Sequence, residues 1–434
     1  MWLLHPDPAE QVADGPGKIW IRDSQLKIKL RPLNKLGRAQ LTFDLLAPSR
    51  VTGPSRLSAQ TLVNLSHNGV PHQVLKELMA EGLKDELHEL TDWSQPHSMI
   101  AVWKAVERAG HVVMGRVRRQ LAGQARALGL GQLRPLDDQA GDDSDEIDGP
   151  EVTQALNTVG RKPHSGQPLT LHESTLELLQ AGFHPLESDQ LFKKLESILT
   201  LVLDDYVEKF HIPVSESCEA YIVPDPYGVL EEGEIHFRSS EMITNPTTGA
   251  QSDTITGDVL VSRNPTRLPS DVQKVKAVSH AKLANYFDVI VFPIKGKRSL
   301  ASYLGGGDYD GDTVMLTWCK ALVENFKSSP LTEAPDDLTQ AFEREVEHVK
   351  DFDKRASRLS PKQAQENFQK VLLLGLAETR VGLYSKFHDA AVYENGYASQ
   401  KAVRLAYMFT TCLDASKTGL RVKIPIFDQD RQQW

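Results

Sequence analysis

A block of short extended segments between residues 213 and 320 restricts the fold of this chain more than any other feature. The segments are rich in β-branched residues and are separated by turns that contain Gly or Pro, as at 225–228 and 256–257. They lie at 220–224, 234–238, 258–263, 289–292 and 313–318. Short strands leave unpaired edges unless the sheet closes on itself, so the block predicts a small β-barrel.

Helical patterns stand on both sides of this block. Apolar residues recur with a 3.6-residue period over 187–210, which predicts a helix there. After the block, Ser360 followed by Pro361 indicates the start of another helix, which the pattern carries to about residue 395. The fold class predicted from these patterns is α+β.

The last two predicted strands are joined by an acidic loop, residues 305–312, which reads Gly-Gly-Gly-Asp-Tyr-Asp-Gly-Asp. Carboxylates at alternate positions face one side of a strand, or converge on one point in a loop bent by glycine. Carboxylates that are this close resist ionising together, so the loop favours a proton or a cation. Oxygen ligands suit Mg²⁺ or Mn²⁺, which makes Asp308, Asp310 and Asp312 candidate metal ligands. A solvated acidic turn or an acidic helix cap is the structural alternative.

Other loops of similar composition fit less well. An EF-hand that started at Asp308 would have Thr313 at its sixth position and Cys319 at its twelfth, in place of the required Gly and Glu. A phosphatase with a DxD nucleophile matches 310–314, but no βαβ alternation surrounds these residues. Aligned carboxylates that bind two metal ions are the usual equipment for attack on phosphorus.

The charge of the chain is unevenly distributed. The formal net charge is −9, but the stretch 137–151 contains eight acidic residues and no basic residue. This stretch has no apolar periodicity and predicts a disordered acidic insertion at 135–165. The rest of the chain is therefore nearly neutral, and only local basic patches can indicate a polyanionic partner.

Two such basic stretches are present. Between 261 and 300 the only acidic residues are Asp271 and Asp288, and the basic residues closest to the acidic loop are Lys295, Lys297 and Arg298. A basic surface beside a metal site suits a triphosphate or an RNA backbone, although a solvated hairpin turn would look similar. The second stretch lies on a predicted helix over 99–127, where a solvated helix face is the simpler interpretation of Arg116, Arg118, Arg119 and Arg126.

Apolar runs, the first residues and the cysteine spacing bear on the cellular compartment and on disulfide bonds. No apolar run approaches the length of a membrane span, and the first residues lack the features of a secretory leader. Three widely separated cysteines, Cys218, Cys319 and Cys412, form no CxxC pair. We therefore expect an intracellular protein that has no membrane partner, no disulfide framework and no cysteine-based zinc site.

Several motifs together resemble those of the cellular RNA-dependent RNA polymerase family of eukaryotic RNA silencing. The loop 305–312 resembles the family's catalytic loop. The segment 228–235 resembles GVLxxGE[IV], 257–272 resembles V-x-[RK]-N-P-x-x-x-P-[GS]-D-[VI], and 291–298 resembles VFPxKGxR. Residues 413–419 and 58–78 are similar to flanking family segments. The resemblance covers roughly 20–85 and 185–420.

The resemblance implies a fold with two double-psi β-barrels. It assigns 213–325 to a nearly complete second barrel with the metal loop, and 1–66 to part of the first barrel. Residues 67–212 would form a helical neck that contains the acidic insertion, and 326–434 a helical head segment.

The activity implied is template-directed synthesis of RNA on single-stranded RNA from nucleoside triphosphates, by two-metal-ion nucleotidyl transfer with Mg²⁺ or Mn²⁺. Its product would be double-stranded RNA for small interfering RNA production, with silencing-pathway proteins as partners. The resemblance implies Asp308, Asp310 and Asp312 as catalytic metal ligands. Together with charge it suggests Arg263, Lys295, Lys297, Arg298 and Lys417 as template or triphosphate contacts, although Lys417 also fits a cation at a helix C-terminus.

Family members are usually longer, so we expect this chain to be a fragment. A catalytically incomplete RNA-binding fragment is the alternative function, followed by the DxD phosphatase.

Overall fold

The computed structural model of the chain describes most residues from 49 onward. The described residues are 49–94, 97–113, 115–117, 119, 161–162, 165–244, 249–344, 346–374 and 380–434. The residues before 49, which the resemblance assigns to part of the first barrel, lie outside them, as do the acidic insertion up to residue 160, Arg118 and Arg126.

The described chain begins with two short strands and three helices, and continues after the insertion with two more helices. These elements are β1 (Val51–Thr52), β2 (Ser55–Leu57), α1 (Ala59–His67), α2 (His72–Thr91), α3 (Ser98–Ala109), α4 (Leu171–Gln180) and α5 (Asp189–Asp204). Helix α5 confirms the helix predicted over 187–210. It starts after Ser188, whose hydroxyl accepts a hydrogen bond from the Leu191 N–H, and it passes into a short π-helix at Asp205–Lys209.

The strands of the central block follow in close succession. They are β3 (Ile212–Val214), β4 (Ser217–Pro224), β5 (Glu234–Thr244), β6 (Gln251–Thr254), β7 (Gly257–Ser262), β8 (Val272–Ala277), β9 (Val289–Phe292) and β10 (Thr313–Thr317). A short helix, α6 (Leu300–Tyr303), lies between β9 and β10.

Six of these strands close into a barrel. The hydrogen-bonded order is β4-β10-β7-β8-β5, and β9 pairs with both β4 and β5 to complete the ring. The pairs β4–β9 and β5–β8 are parallel and the other four are antiparallel. The predicted small barrel is therefore confirmed.

The alternation of side chains along the strands separates two cores. Val259 and Val261 of β7 and Val314 and Leu316 of β10 point into the barrel interior, where they pack with other buried apolar residues. The intervening residues Leu260 and Met315 face outward and pack against apolar side chains of α1. Because both faces of these strands are buried, the barrel is fixed against the helices that precede it.

The C-terminal part is mostly helical. Its elements are α7 (Lys320–Val323), β11 (Phe342–Arg344), α8 (Val349–Ala356), α9 (Pro361–Leu374), α10 (Val381–Asn395), α11 (Gln400–Leu413), α12 (Ala415–Thr418), β12 (Leu420–Val422) and α13 (Ile424–Gln433). The prediction of one helix from 361 to about 395 is wrong at its centre, because α10 is a separate helix that begins after Arg380, a residue in the left-handed conformation with φ of 62°. In α10 and α11, Tyr384, Leu405 and Met408 lie at the centre of a separate apolar core.

Among the described residues, no helix combines the length and the apolar character that a membrane crossing requires.

Candidate active site

The acidic loop leaves the barrel between β9 and β10, as the sequence predicts. Helix α6 precedes it and is capped by Ser299, whose hydroxyl accepts a hydrogen bond from the Ser302 N–H. Gly305 and Gly306 then have φ of 59° and 74°. Side chains other than that of glycine are disfavoured there, so these two residues allow the chain to reverse direction at the mouth of the barrel.

Gly307 is needed for a different reason, because the loop backbone at this position lies close to neighbouring groups. A Cβ atom at this position would lie 3.0 Å from the Ala301 carbonyl oxygen, 3.0 Å from the Arg263 Cδ atom and 3.1 Å from the Asp312 Oδ2 atom. A glycine therefore lets the loop backbone pack directly against the groups that hold Asp312.

The three aspartates converge. One carboxylate oxygen from each of Asp308, Asp310 and Asp312 lies within 4.8 Å of the others. The Asp308 N–H donates to the Asp312 Oδ2 atom at 2.8 Å, and the Asp310 N–H donates to the Asp308 Oδ1 atom at 2.9 Å. Asp308 and Asp310 are exposed, whereas Asp312 is buried. The loop thus presents two accessible carboxylates above one fixed carboxylate.

Arg263, directly after β7, neutralises the buried member of the triad. Its Nε atom lies 2.9 Å from the Asp312 Oδ2 atom, and its Nη2 atom donates to Oδ1 at 3.2 Å. Its Nη1 atom also donates to the Gly305 carbonyl oxygen at 3.4 Å. Because β7 and β10 are neighbours in the barrel, strand pairing places this arginine beside the acidic loop.

The crowding of the carboxylates shifts their proton affinities in opposite directions. Partial burial acts to raise the pKa of Asp308, but hydrogen bonds from Asp310 and the charges of Lys417 and Arg263 outweigh it and lower that pKa. The hydrogen bond with Asp308, together with burial and the two neighbouring carboxylates, raises the pKa of Asp310. The loop therefore carries an excess of negative charge that a cation would relieve.

Lys417 reaches the same loop from α12. Its Nζ atom lies 3.9 Å from the Asp310 Oδ2 atom and 3.8 Å from the Asp414 Oδ1 atom. The side chain is 69% exposed, so its charge is open to a polyanion. The structure thus brings together five of the residues predicted from the sequence: Asp308, Asp310, Asp312, Arg263 and Lys417.

The other basic candidates do not contact the triad in the described part of the chain. The Lys295 Nζ atom pairs with Glu231 at 2.5 Å, and the Arg298 Nε atom donates to the Ser302 hydroxyl at 2.7 Å. The Arg298 guanidinium also lies over the Tyr303 ring at 5.8 Å. Lys297 is exposed. Of the more distant basic stretch, Arg116 and Arg119 both bind the buried Glu173, which indicates a structural role.

Asp271 is a residue of the site that the sequence prediction missed. It is buried, and its Oδ1 atom accepts a hydrogen bond from the Gly305 N–H at 3.3 Å. Burial raises its pKa to about 7, although three backbone N–H groups act to lower it. A signal was present, because Asp271 is one of two acidic residues in the basic stretch 261–300.

The site is a carboxylate triad in the loop between two strands of a mixed β-barrel, with basic side chains beside it. Sites of this class suit a divalent cation that binds beside a polyanion. Comparison with known proteins identifies the family. The profile of the family described as "RdRP: RNA dependent RNA polymerase" matches residues 1–434. The chain belongs to this family, as the motif series predicts.

Individual relatives agree. The chain is 28% identical over 263 residues to "Probable RNA-dependent RNA polymerase SHL2" of Oryza sativa, which is 57% of this chain and 20% of that protein. It is 28% identical over 277 residues to "RNA-dependent RNA polymerase 1" of Schizosaccharomyces pombe, which is 58% of this chain and 21% of that protein. The chain thus spans about a fifth of the length of these relatives.

A solved structure supports the fold. The "RNA dependent RNA polymerase QDE-1 from Thielavia terrestris" superimposes with a TM-score of 0.63 at 22% sequence identity, over 89% of this chain and 38% of that chain. The predicted fold class, α+β with a double-psi β-barrel core and helical neck and head segments, is therefore confirmed. The exact domain boundaries stay predictions.

Proposed function

We propose that this chain supplies the catalytic barrel for template-directed RNA synthesis on single-stranded RNA from nucleoside triphosphates. The observation that carries the proposal is the convergence of Asp308, Asp310 and Asp312 beside Arg263 and Lys417, in a member of the RNA-dependent RNA polymerase family. The product would be double-stranded RNA for small interfering RNA production, with silencing-pathway proteins as further partners.

The residues fit a divalent cation. Three hard oxygen donors converge, and the hydrogen bond with Asp308, burial and the charges of the two neighbouring carboxylates raise the pKa of Asp310. Asp308, Asp310 and Asp312 would hold Mg²⁺ or Mn²⁺. When bound, a pair of such ions activates the attacking hydroxyl and neutralises the leaving pyrophosphate.

The chain's own residues would position the reactants. Arg263 and the Asp308 N–H fix Asp312, so this carboxylate cannot swing away when substrate enters. Asp308 and Asp310 are exposed and remain available to ligands on the open side. Preorganised charge of this kind accounts for most catalysis in transfer to and from phosphorus, where the protein supplies positioning and no covalent nucleophile.

Basic side chains around the triad would bind the phosphates of substrate and template. Lys417 is close enough to move between Asp310 and an incoming triphosphate. Lys295, Lys297 and Arg298 are exposed in the segment that leads into the loop, although Lys295 would have to leave Glu231. Arg263 would contribute mainly through Asp312, because its side chain is only 13% exposed.

A second function is favoured by one observation, the small share of the relatives that the chain covers. A chain that spans about a fifth of such proteins could bind RNA through these basic residues without completing the reaction. The DxD phosphatase is not favoured, because the aspartates follow a glycine turn and helix α6 and no βαβ unit surrounds them.

The experiment is nucleotide incorporation by this chain on single-stranded RNA, with Mg²⁺ or Mn²⁺. We expect Asp310→Asn to lower incorporation by about 100-fold or more, since it removes charge at the reacting centre. Asp258→Asn is the matched control, because Asp258 is an exposed aspartate of the same barrel, on β7. Equal incorporation by the wild type and Asp310→Asn would refute the proposed site. Salt-sensitive RNA binding without incorporation by the wild type would establish the second function.

A further inference from the structure

The segment 266–271, between β7 and β8, contacts three different parts of the molecule. It contacts the acidic loop through Asp271, the C-terminal helices through Arg267, and α1 through backbone carbonyl groups. Thr266, Arg267, Ser270 and Asp271 are all buried. Polar groups are buried at a cost unless their bonds are made, so each of these contacts restricts the segment.

On the loop side, both oxygens of Asp271 are used. The Oδ2 atom accepts from the Arg267 N–H at 2.7 Å and from the Leu268 N–H at 2.8 Å, while Oδ1 accepts from the Gly305 N–H. The Gly305 carbonyl oxygen accepts from Arg263 on its other side. The residue at which the loop reverses is therefore held through both its amide and its carbonyl group.

On the side of the C-terminal helices, Arg267 is bound by α10 and α11. Its Nη2 atom donates to the Ser385 hydroxyl at 2.6 Å, and its Nη1 atom donates to the Asp389 Oδ1 atom at 2.5 Å. The guanidinium lies over the Phe409 ring at 4.9 Å, and His388 Nε2 bonds the Arg267 carbonyl oxygen at 3.0 Å. Only 4% of this arginine is exposed, so a shift of α10 would displace the segment with it.

Helix α1 and the residue that follows it hold the segment through two asparagines. The Asn64 Nδ2 atom donates to the Leu268 carbonyl oxygen at 2.9 Å, and the Asn68 Nδ2 atom donates to the Pro269 carbonyl oxygen at 2.9 Å. Both asparagines are buried. The segment is thus fixed between the helices before the barrel and those after it.

We propose that Asp271 is a positioning residue for the metal loop, and that Arg267 ties this position to α10 and α11. The inference rests on the proposed function, in which Asp308, Asp310 and Asp312 hold the metal. Asp271 lies outside the triad and is joined to the loop by its hydrogen bond from the Gly305 amide. Loss of this bond would let the loop turn relax and would spread the three carboxylates.

The first test is Mn²⁺ affinity, measured on the whole chain by the loss of the free Mn²⁺ signal in electron paramagnetic resonance. Asp271→Asn keeps the size of the side chain but replaces one acceptor oxygen by a donor. We expect its Mn²⁺ dissociation constant to rise about tenfold, as for other residues that orient metal ligands through a hydrogen bond.

The matched control is Asp225→Asn. Asp225 is another buried aspartate of the barrel region, and it accepts two backbone hydrogen bonds, from the Tyr227 N–H at 2.9 Å and the Leu230 N–H at 2.8 Å. We expect this variant to keep the wild-type Mn²⁺ affinity even if it is less stable. Equal Mn²⁺ affinity of Asp271→Asn and Asp225→Asn would overturn the proposal.

A second variant keeps the proposal testable if Asp271→Asn does not fold. Arg267→Lys retains the positive charge and the backbone N–H that binds Asp271, but it loses the two-pronged contact with α10. We expect faster amide hydrogen exchange in the peptide that spans 300–312. Arg404→Lys is its control, because Arg404 makes a similar two-pronged contact with Asp430 away from the loop. Unchanged exchange in Arg267→Lys would refute the link to α10.

These measurements also distinguish a failure of the proposed polymerase function from a failure of the proposed role of Asp271. If the wild type binds Mn²⁺ but incorporates no nucleotide, the polymerase proposal fails for this chain, while the contrast between Asp271→Asn and Asp225→Asn still decides the positioning role.

Discussion

Replacement of Arg263 by methionine isolates the contribution of the cation that faces Asp312. The two side chains are 13% and 7% exposed and make a two-pronged contact, so the ion pair is largely shielded from water. Removal of one partner of a buried ion pair leaves the other charge uncompensated, which costs about 3–5 kcal/mol. Asp312 keeps the hydrogen bond from the Asp308 N–H, so we expect a loss near the lower end, about 3 kcal/mol.

The assay is urea unfolding in the presence of a chelator, and the control is Arg108→Met. Arg108 pairs with Glu89, and both side chains are at least 40% exposed, so its loss should cost less than about 1 kcal/mol. Added Mg²⁺ should then reduce the deficit of Arg263→Met by about 1 kcal/mol, because the ion supplies positive charge to Asp312. Equal losses in the two variants, or a deficit that Mg²⁺ does not reduce, would refute the reasoning.

Three further predictions concern the same site. Gly307→Ala should destabilise the chain by about 1–3 kcal/mol, because its new methyl group has no space. The control is Gly115→Ala, which should be neutral or slightly stabilising because its Cβ atom would meet only one arginine nitrogen, at 3.9 Å. Similar urea midpoints for the two variants would contradict this prediction. The pKa of Asp271 in the folded chain is about 7, above its unfolded value, so its stabilising effect is present at low pH and is lost as the pH rises through 7. Between pH 6 and 8, the free energy of unfolding of the wild type should therefore fall by about 1 kcal/mol relative to that of Asp271→Asn. Parallel curves of stability against pH for the two proteins would argue against this prediction. Lys417→Met should raise the KM for nucleoside triphosphates by up to about fivefold, with a smaller increase at high salt and with unchanged stability of the chain. An effect on kcat alone would exclude phosphate binding by this lysine.

The positions of the barrel strands and of the acidic loop follow from local patterns. Short runs of β-branched and other apolar residues at 258–263 and 313–318 predicted β7 and β10, and the glycines of 305–307 predicted a turn that brings the aspartates together. These features are local because the strand period and the conformational freedom of glycine act over a few residues. Local patterns were less informative for 361–395, where the apolar spacing did not show that the helix is interrupted before Val381.

The family resemblance and the charge of the residues gave the basic candidates near the loop but could not distinguish their partners. Arg263 and Lys295 lie in the same basic stretch, yet the first neutralises Asp312 and the second pairs with Glu231. The difference depends on which strands are neighbours in the barrel, and strand order is not encoded in a short pattern.

Local patterns of residues are enough to show three carboxylates in a glycine-bent loop, a basic stretch before them, and a motif series that places the chain in its family. The distant residues that lie beside this loop are known only from the folded chain. Lys417 reaches Asp310, and Arg267 and Asp271 connect α10 to Gly305, across separations of more than thirty residues. Such contacts arise when strands close a barrel and helices pack on it, because burial then forces each enclosed polar group to find a partner wherever the fold provides one.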